Sequence, residues 1–113
     1  MRVYIAGPYT HGDIEANVNA ALQTASILFD AGCFPYVPHL SHYWHIKHPR
    51  PYEDWMNLDK EWLLVCDAVL RIPGYSPGAD LECLWAGLAN IPIFTDYHKL
   101  VAQLCQVEPK KEA

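Results

Sequence analysis

The 113-residue chain is 51% hydrophobic and 19% charged, enough for one domain with one core and too short for a separate lid or substrate domain. Eight Lys and Arg against 13 Asp and Glu leave a net charge of −5. That excludes the basic footprint a DNA or RNA polymer requires and points to a small-molecule ligand. No stretch approaches the roughly 20 apolar residues that cross a bilayer, and the start MRVYIAGPYT is too briefly apolar for a signal peptide, so no membrane partner and a cytoplasmic location are expected. Cys33, Cys66, Cys83 and Cys105 are scattered without a CxxC pair, and reduced thiols are expected in place of a disulfide framework.

Arg2 to Ala6 (RVYIA) is β-branched and aromatic and stops at Gly7-Pro8, the pattern of a short buried strand ending in a turn. From Asp13 to Ala31, Ile14, Val18, Ala21, Leu22, Ala25, Leu28 and Phe29 fall on one helical stripe. Asp13 is placed to cap its start and Gly32 to stop its end. Phe34 to Pro38 (FPYVP) reads as a shorter extended segment whose prolines suit an edge strand. Residues 39–51 (HLSHYWHIKHPRP) have no clear period, so a loop with room for one helical turn is expected. Tyr52 to Val65 then reads as a helix with Trp55, Leu58, Trp62 and Val65 inward, and Asp67 to Ile72 as a third strand. After Pro73-Gly74-Tyr75-Ser76 a helix is expected from Pro77 to about Ala89, then a short strand Pro92–Phe94 and a last helix near 97–106. The charged end, 108–113, is expected to fray.

Strands alternating with helices predict an α/β fold: a single-domain, flavodoxin- or Rossmann-like three-layer sandwich over 1–107, with a small, mostly parallel sheet of four to five strands. Ligands of such sheets sit beyond the carboxyl ends of the strands, where strand order reverses. With the first and third strands as neighbours, that crevice is floored by Gly7-Pro8-Tyr9-Thr10 and by Pro73 to Ser76.

Several residues near this crevice carry usable chemistry. Ser76 is a favoured helix cap and Pro77 fits the first helical position, while Gly78 keeps that turn open to close approach. Such a helix start can hold an anion or a polar sugar edge, although plain capping accounts for the dipeptide equally. Glu82 lies about one and a half turns further on, on the flank with Ala86 and Ala89, while Leu81, Leu84, Trp85 and Leu88 form the expected apolar stripe. Asp59 sits on the helix before the third strand, and Asp67 opens that strand, where it can simply cap it. Two carboxylates suit glycosyl chemistry: one attacks or stabilises the sugar's C1′, and the other handles the leaving group's proton. His39, His42, His45 and His48 recur every three residues. Pro38 and Pro49 bracket the run and no Cys accompanies it, so no metal and no cofactor are expected. His39 and His42 remain candidates for substrate contact on a polar loop.

The strings VYIAGPYT, DKEWLLVCDAV at 59–69 and SPGADLECLWAGLANIPI at 76–93, with Asn17 between them, resemble the nucleoside 2-deoxyribosyltransferase-like superfamily. The nearest functional comparison is with its 2′-deoxynucleoside 5′-phosphate N-hydrolases, which share a D-x-E-W-L-x-x-x-D block (Asp59, Glu61, Trp62, Leu63, Asp67) and an S-x-G-x-x-x-E block (Ser76, Gly78, Glu82). Short uncharacterised phage and bacterial members share the opening GPYT-type turn. The resemblance implies Glu82 as a nucleophile at C1′, Asp59 as the acid assisting base departure, and Tyr4 close to sugar and nucleophile. It implies Ser76 at the 5′ end and Gly7 under the ligand, with Pro8, Tyr9 and Thr10 in the same turn. Where the monophosphate hydrolases carry an Arg in that turn, this chain has Thr10. A C-terminus shorter than the transferases' tilts the expectation toward hydrolysis, and a homodimer or higher homo-oligomer is implied, with exposed Trp or Tyr from 39–55 as contacts.

The resulting expectation is an enzyme that cleaves the N-glycosidic bond of a nucleoside or nucleotide. The alternatives are a non-catalytic nucleotide-binding module on the same fold, in which Glu82 contacts a ribose hydroxyl, and an assembly protein in which Asp59 and Glu82 point apart.

Overall fold

A computed structural model of the chain describes residues 1–104; the expected fraying end at 108–113 and the close of the expected 97–106 helix lie outside them. The elements run β1 (Arg2–Ala6), α1 (Ile14–Asp30), β2 (Phe34–Tyr36), a 3-10 turn (Pro38–Leu40), α2 (Ser41–Lys47), α3 (Tyr52–Leu63), β3 (Ala68–Arg71), α4 (Pro77–Leu88), β4 (Ile93–Phe94) and α5 (Tyr97–Leu104). The four strands form one sheet in the order β2-β1-β3-β4, and every neighbouring pair is parallel. The fold is therefore the expected α/β sandwich at the lower end of the expected strand count. No helix of the described residues is long and apolar enough to cross a membrane.

Side chains alternate across β1, and that alternation builds two cores. Val3 and Ile5 point to one face, where they pack with Ala21, Ala25 and Leu28 of α1 and Leu100 of α5. Tyr4 and Ala6 point to the other, against Leu63 of α3 and Ala79 and Ala86 of α4. A first-strand tyrosine thus faces the helix that carries Glu82. Asp67 serves the scaffold, for its Oδ2 accepts from the Arg2 amide at 2.7 Å and ties the starts of β1 and β3 at the sheet end away from Gly7.

The helix boundaries follow local chemistry. Asp13 accepts from the Ala16 amide at 3.2 Å and caps α1, and Gly32, with φ of +93°, turns the chain away at its end. Pro38 opens the 3-10 turn, so the extended segment is shorter than FPYVP suggests and occupies the sheet edge.

Five expectations are corrected. Residues 39–51 hold a two-turn helix, α2, which buries none of its residues; a helix without a buried face leaves no periodic signal. In α3 the inward residues are Trp55, Asp59 and Leu63, while Trp62 and Val65 are exposed. In α4 the expected faces are exchanged: Ala79, Glu82 and Ala86 are buried, and Leu81, Leu84 and Leu88 face outward, Leu88 at 76% exposure. Small residues let α4 lie close to β1 and β3, a spacing that leucines would prevent. Phe29 also leaves its stripe, at 62% exposure. Cys66 and Cys83 are free thiols as expected, whereas Cys33 is disulfide-bonded.

Candidate functional site

The strand order reverses between β1 and β3, and a cavity of about 540 Å³ lies beyond the carboxyl ends of those strands. That volume suits a nucleoside-sized ligand. Its floor is the contact between two loops. A Cβ on Gly7 would stand 2.9 Å from Ile72 Cβ, and one on Gly74, where φ is +124°, would stand 2.8 Å from Pro8 Cγ. Glycine is required at both positions for the loops to meet.

Each loop is pinned by one side chain. Asn17 of α1 donates through Nδ2 to the carbonyls of Tyr9 at 2.9 Å and His11 at 2.8 Å, which holds the β1–α1 turn. Arg71, at the end of β3, donates to the carbonyls of Ile72 and Gly74 and pairs with Asp80 of α4 at 3.0 Å. The loop leading into α4 is thereby fixed to the sheet. Ser76 accepts from the Ala79 amide at 3.1 Å and caps α4, so the capping role is real. Its hydroxyl proton stays available, and Ser76 and Gly78 both line the cavity.

Glu82, 6% exposed, and Asp59, 7% exposed, approach from α4 and α3 and both reach the cavity wall. The Tyr4 hydroxyl donates to Glu82 Oε2 from behind. Tyr4 is fully buried, is not part of the wall and stands behind Glu82. Tyr36, the partner of Tyr4 in the β1–β2 register, stands beside the Asp59 carboxyl and works against the rise of its pKa. Burial raises both carboxyl groups, Asp59 to about 7 and Glu82 to about 8. At Glu82 the Tyr4 hydrogen bond and Arg71 oppose the rise, and the Asp59 charge adds to it. Burial and the two acids push Tyr4 far above its usual range and Tyr36 up to about 12. Both phenols are therefore permanent donors, and the two carboxyls retain protons near neutral pH.

The remaining wall comes from the two loops and from α2. Gly7, Tyr9 and Thr10 line it, whereas Pro8 lies beneath, against Gly74, with its carbonyl 3.1 Å from His39 Nε2. His42 Nδ1 is 2.8 Å from the Tyr9 hydroxyl, and His45 Nδ1 accepts from Trp55 Nε1 at 2.8 Å. His42 and His45 thus tie α2 to the body of the domain, and His39, His42 and His45 all line the wall. Among the described residues no group of three or more His, Cys, Asp or Glu is arranged to hold a metal ion. Tyr36, Arg71, Arg50, Tyr52 and Trp55 were not legible as site residues; only the Tyr4–Tyr36 register, which needs the strand pairing, could have pointed to the first.

The family model described as Domain of unknown function (DUF7768) matches residues 1–96, a span that contains every residue of the cavity. Among solved structures the chain is similar to a 2-deoxyribosyltransferase of the psychrotolerant bacterium Bacillus psychrosaccharolyticus, described as a suitable biocatalyst for the synthesis of antiviral and antitumoral nucleosides. The TM-score is 0.56 at 19% identity, over 82% of this chain and 69% of that one. At that identity the likeness is one of fold. No curated protein matches the sequence.

Proposed function

We propose, for a chain that belongs to the DUF7768 family of unknown function, cleavage of the N-glycosidic bond of a nucleoside or nucleotide. The observation that carries this reading is the convergence of two buried carboxyls, Glu82 and Asp59, on one nucleoside-sized cavity, Glu82 held there by the Tyr4 hydroxyl. In the reactive state the pair keeps a single proton and it sits on Asp59, which, with Glu82 at about 8 and Asp59 at about 7, is the less populated of the two singly protonated forms in the free protein. Glu82, ionised and hydrogen-bonded by Tyr4, forms a bond to C1′ as the C1′–N bond breaks. The electron pair leaves with the base, which takes the proton from Asp59. Asp59, now a carboxylate, receives a proton from the water or second base that attacks C1′ and releases the sugar from Glu82. Hydrolysis and transfer share the first half of this sequence, and the acceptor separates them. Ser76, Thr10 and the first turn of α4 would face the sugar's 5′ end.

Incubation with a panel of nucleosides and 5′-monophosphates, with free base followed by chromatography, tests the reading. Release from none of them at high enzyme discards it, and an added second base distinguishes transfer from hydrolysis. One observation favours a second reading: a Glu82 raised to about 8 is neutral at pH 7 in the free protein, as suits a donor to a ribose hydroxyl in a binding module. Tight binding without turnover, surviving Glu82→Gln, would identify that case.

The reading includes a homodimer. Leu81, Leu84 and Leu88 form an outward stripe on α4. Repeats of three and four residues pack well against an identical stripe. Tyr43, Trp44 and Tyr52 are exposed too, near the cavity mouth.

A further inference from the structure

His39 is 3% exposed in the turn that follows β2, and it lines the cavity. Its Nε2 faces the Pro8 carbonyl oxygen at 3.1 Å. A carbonyl only accepts, so Nε2 carries the ring proton and Nδ1 keeps its lone pair. No donor among the described residues reaches that Nδ1. Burial holds the imidazole below its usual pKa, with the carbonyls of Pro8 and Gly7 opposing it, so Nδ1 is an acceptor at neutral pH. Asp59 repeats the pattern: its Oδ1 is buried and has no partner. Among the described residues these two atoms are the buried side-chain polar atoms left unsatisfied, and both belong to residues of the same wall. Buried polar atoms without partners cost stability unless something that binds there completes them.

We propose that His39 is the specificity-determining residue of this cavity, its Nδ1 accepting a hydrogen bond from the exocyclic amine of a nucleobase whose neighbouring ring nitrogen receives the Asp59 proton. The ligand class rests on the N-glycosidic reading above. An amine beside a basic ring nitrogen, as in adenine or cytosine, presents one donor and one proton acceptor, the complement of His39 and protonated Asp59. An imide base presents a carbonyl oxygen beside its N–H, a far weaker base for Asp59 to protonate. A site built to pair a ligand's N–H rejects the analogue without it strongly, because its own acceptor is then stranded.

The test compares 2′-deoxyadenosine with the deoxyriboside of unsubstituted purine, and 2′-deoxycytidine with its analogue lacking the amine. In the wild type, kcat/KM is expected to fall on the order of a hundredfold when the amine is removed. In His39→Leu the ratio within each pair is expected to approach one, and His39→Asn, which keeps a donor and an acceptor, should restore part of it. Equal rates within each pair in the wild type, or a ratio that survives His39→Leu, overturns the proposal; should His39→Leu not fold, the wild-type pairs and His39→Asn decide. If no substrate releases base, the N-glycosidic reading fails separately, and calorimetric titration of the same pairs decides this one. Preference for the amine-bearing member, lost in the variant, upholds it, and equal or absent binding in the wild type overturns it.

Discussion

The Tyr4 hydroxyl donates a hydrogen bond to Glu82, joining the first strand to α4 across 78 positions of sequence. The bond lowers the Glu82 pKa against the larger effect of burial. Tyr4→Phe should therefore raise it further and move the limb of the pH–rate profile on which Glu82 ionises to higher pH. The rate at neutral pH should fall roughly tenfold or more through lost ionisation and positioning. Equal profiles for the wild type and the variant would show that the phenol does no more than fill space.

Glu82→Gln should abolish base release and yet stabilise the fold at alkaline pH. Glu82 titrates near 4.5 when unfolded and at about 8 when folded, and Asp59 near 3.8 and at about 7. Across those windows the native state binds more protons than the unfolded one, so wild-type stability falls as pH rises. The slope is at most about 1.4 kcal/mol per pH unit for each group. Denaturant midpoints from pH 4.5 to 8 in the two proteins should diverge steadily. A constant offset would mean that the Glu82 carboxyl does not carry the penalty.

If Asp59 hands a proton to the leaving base, Asp59→Asn should slow poor leaving groups by a larger factor than activated ones. Turnover of an unmodified deoxynucleoside set against a deoxyriboside with an acidic leaving group measures this, and equal slowing contradicts the acid role. In the wild type the single-proton state of the pair should give a bell-shaped profile with apparent limbs near 7 and 8 that belong to the pair jointly.

Leu84 is 57% exposed at the centre of the outward stripe of α4. Leu84→Glu should convert a homodimer to monomer in sedimentation analysis with little change in the stability of the subunit. A wild type that sediments as a monomer removes the dimer from the reading.

Gly7→Ala would bring a Cβ to 2.9 Å from the Cβ of Ile72, which belongs to the neighbouring loop and cannot swing away. A cost of about 1–3 kcal/mol is expected in denaturant unfolding. A smaller loss would mean that the loop gives way there.

Much of the architecture was legible because local chemistry agreed with it: the Asp13 cap, the Gly32 stop, the edge position of a proline-bearing strand and the crevice at the strand reversal. Glu82 and Asp59 do come together as expected. The helix faces of α3 and α4 were not legible. Periodicity assigns the largest apolar residues inward, whereas these helices turn a carboxyl, a tyrosine-bound neighbour and small residues toward the sheet. Pro8 read as part of the crevice from position and Tyr4 as close to the sugar from the family resemblance; in the structure one lies against Gly74 and the other stands behind Glu82. Tyr36 was hidden because its role depends on pairing between strands far apart in sequence.

α2 buries no residue and is tied to the body by the Tyr9–His42 and Trp55–His45 hydrogen bonds and the Trp44–Trp55 ring contact. Two of those three ties end on Trp55, one turn before Asp59 on the same helix, so the hold on α2 bears on the helix of one acid and leaves β1 and α4, the elements of Tyr4 and Glu82, outside it.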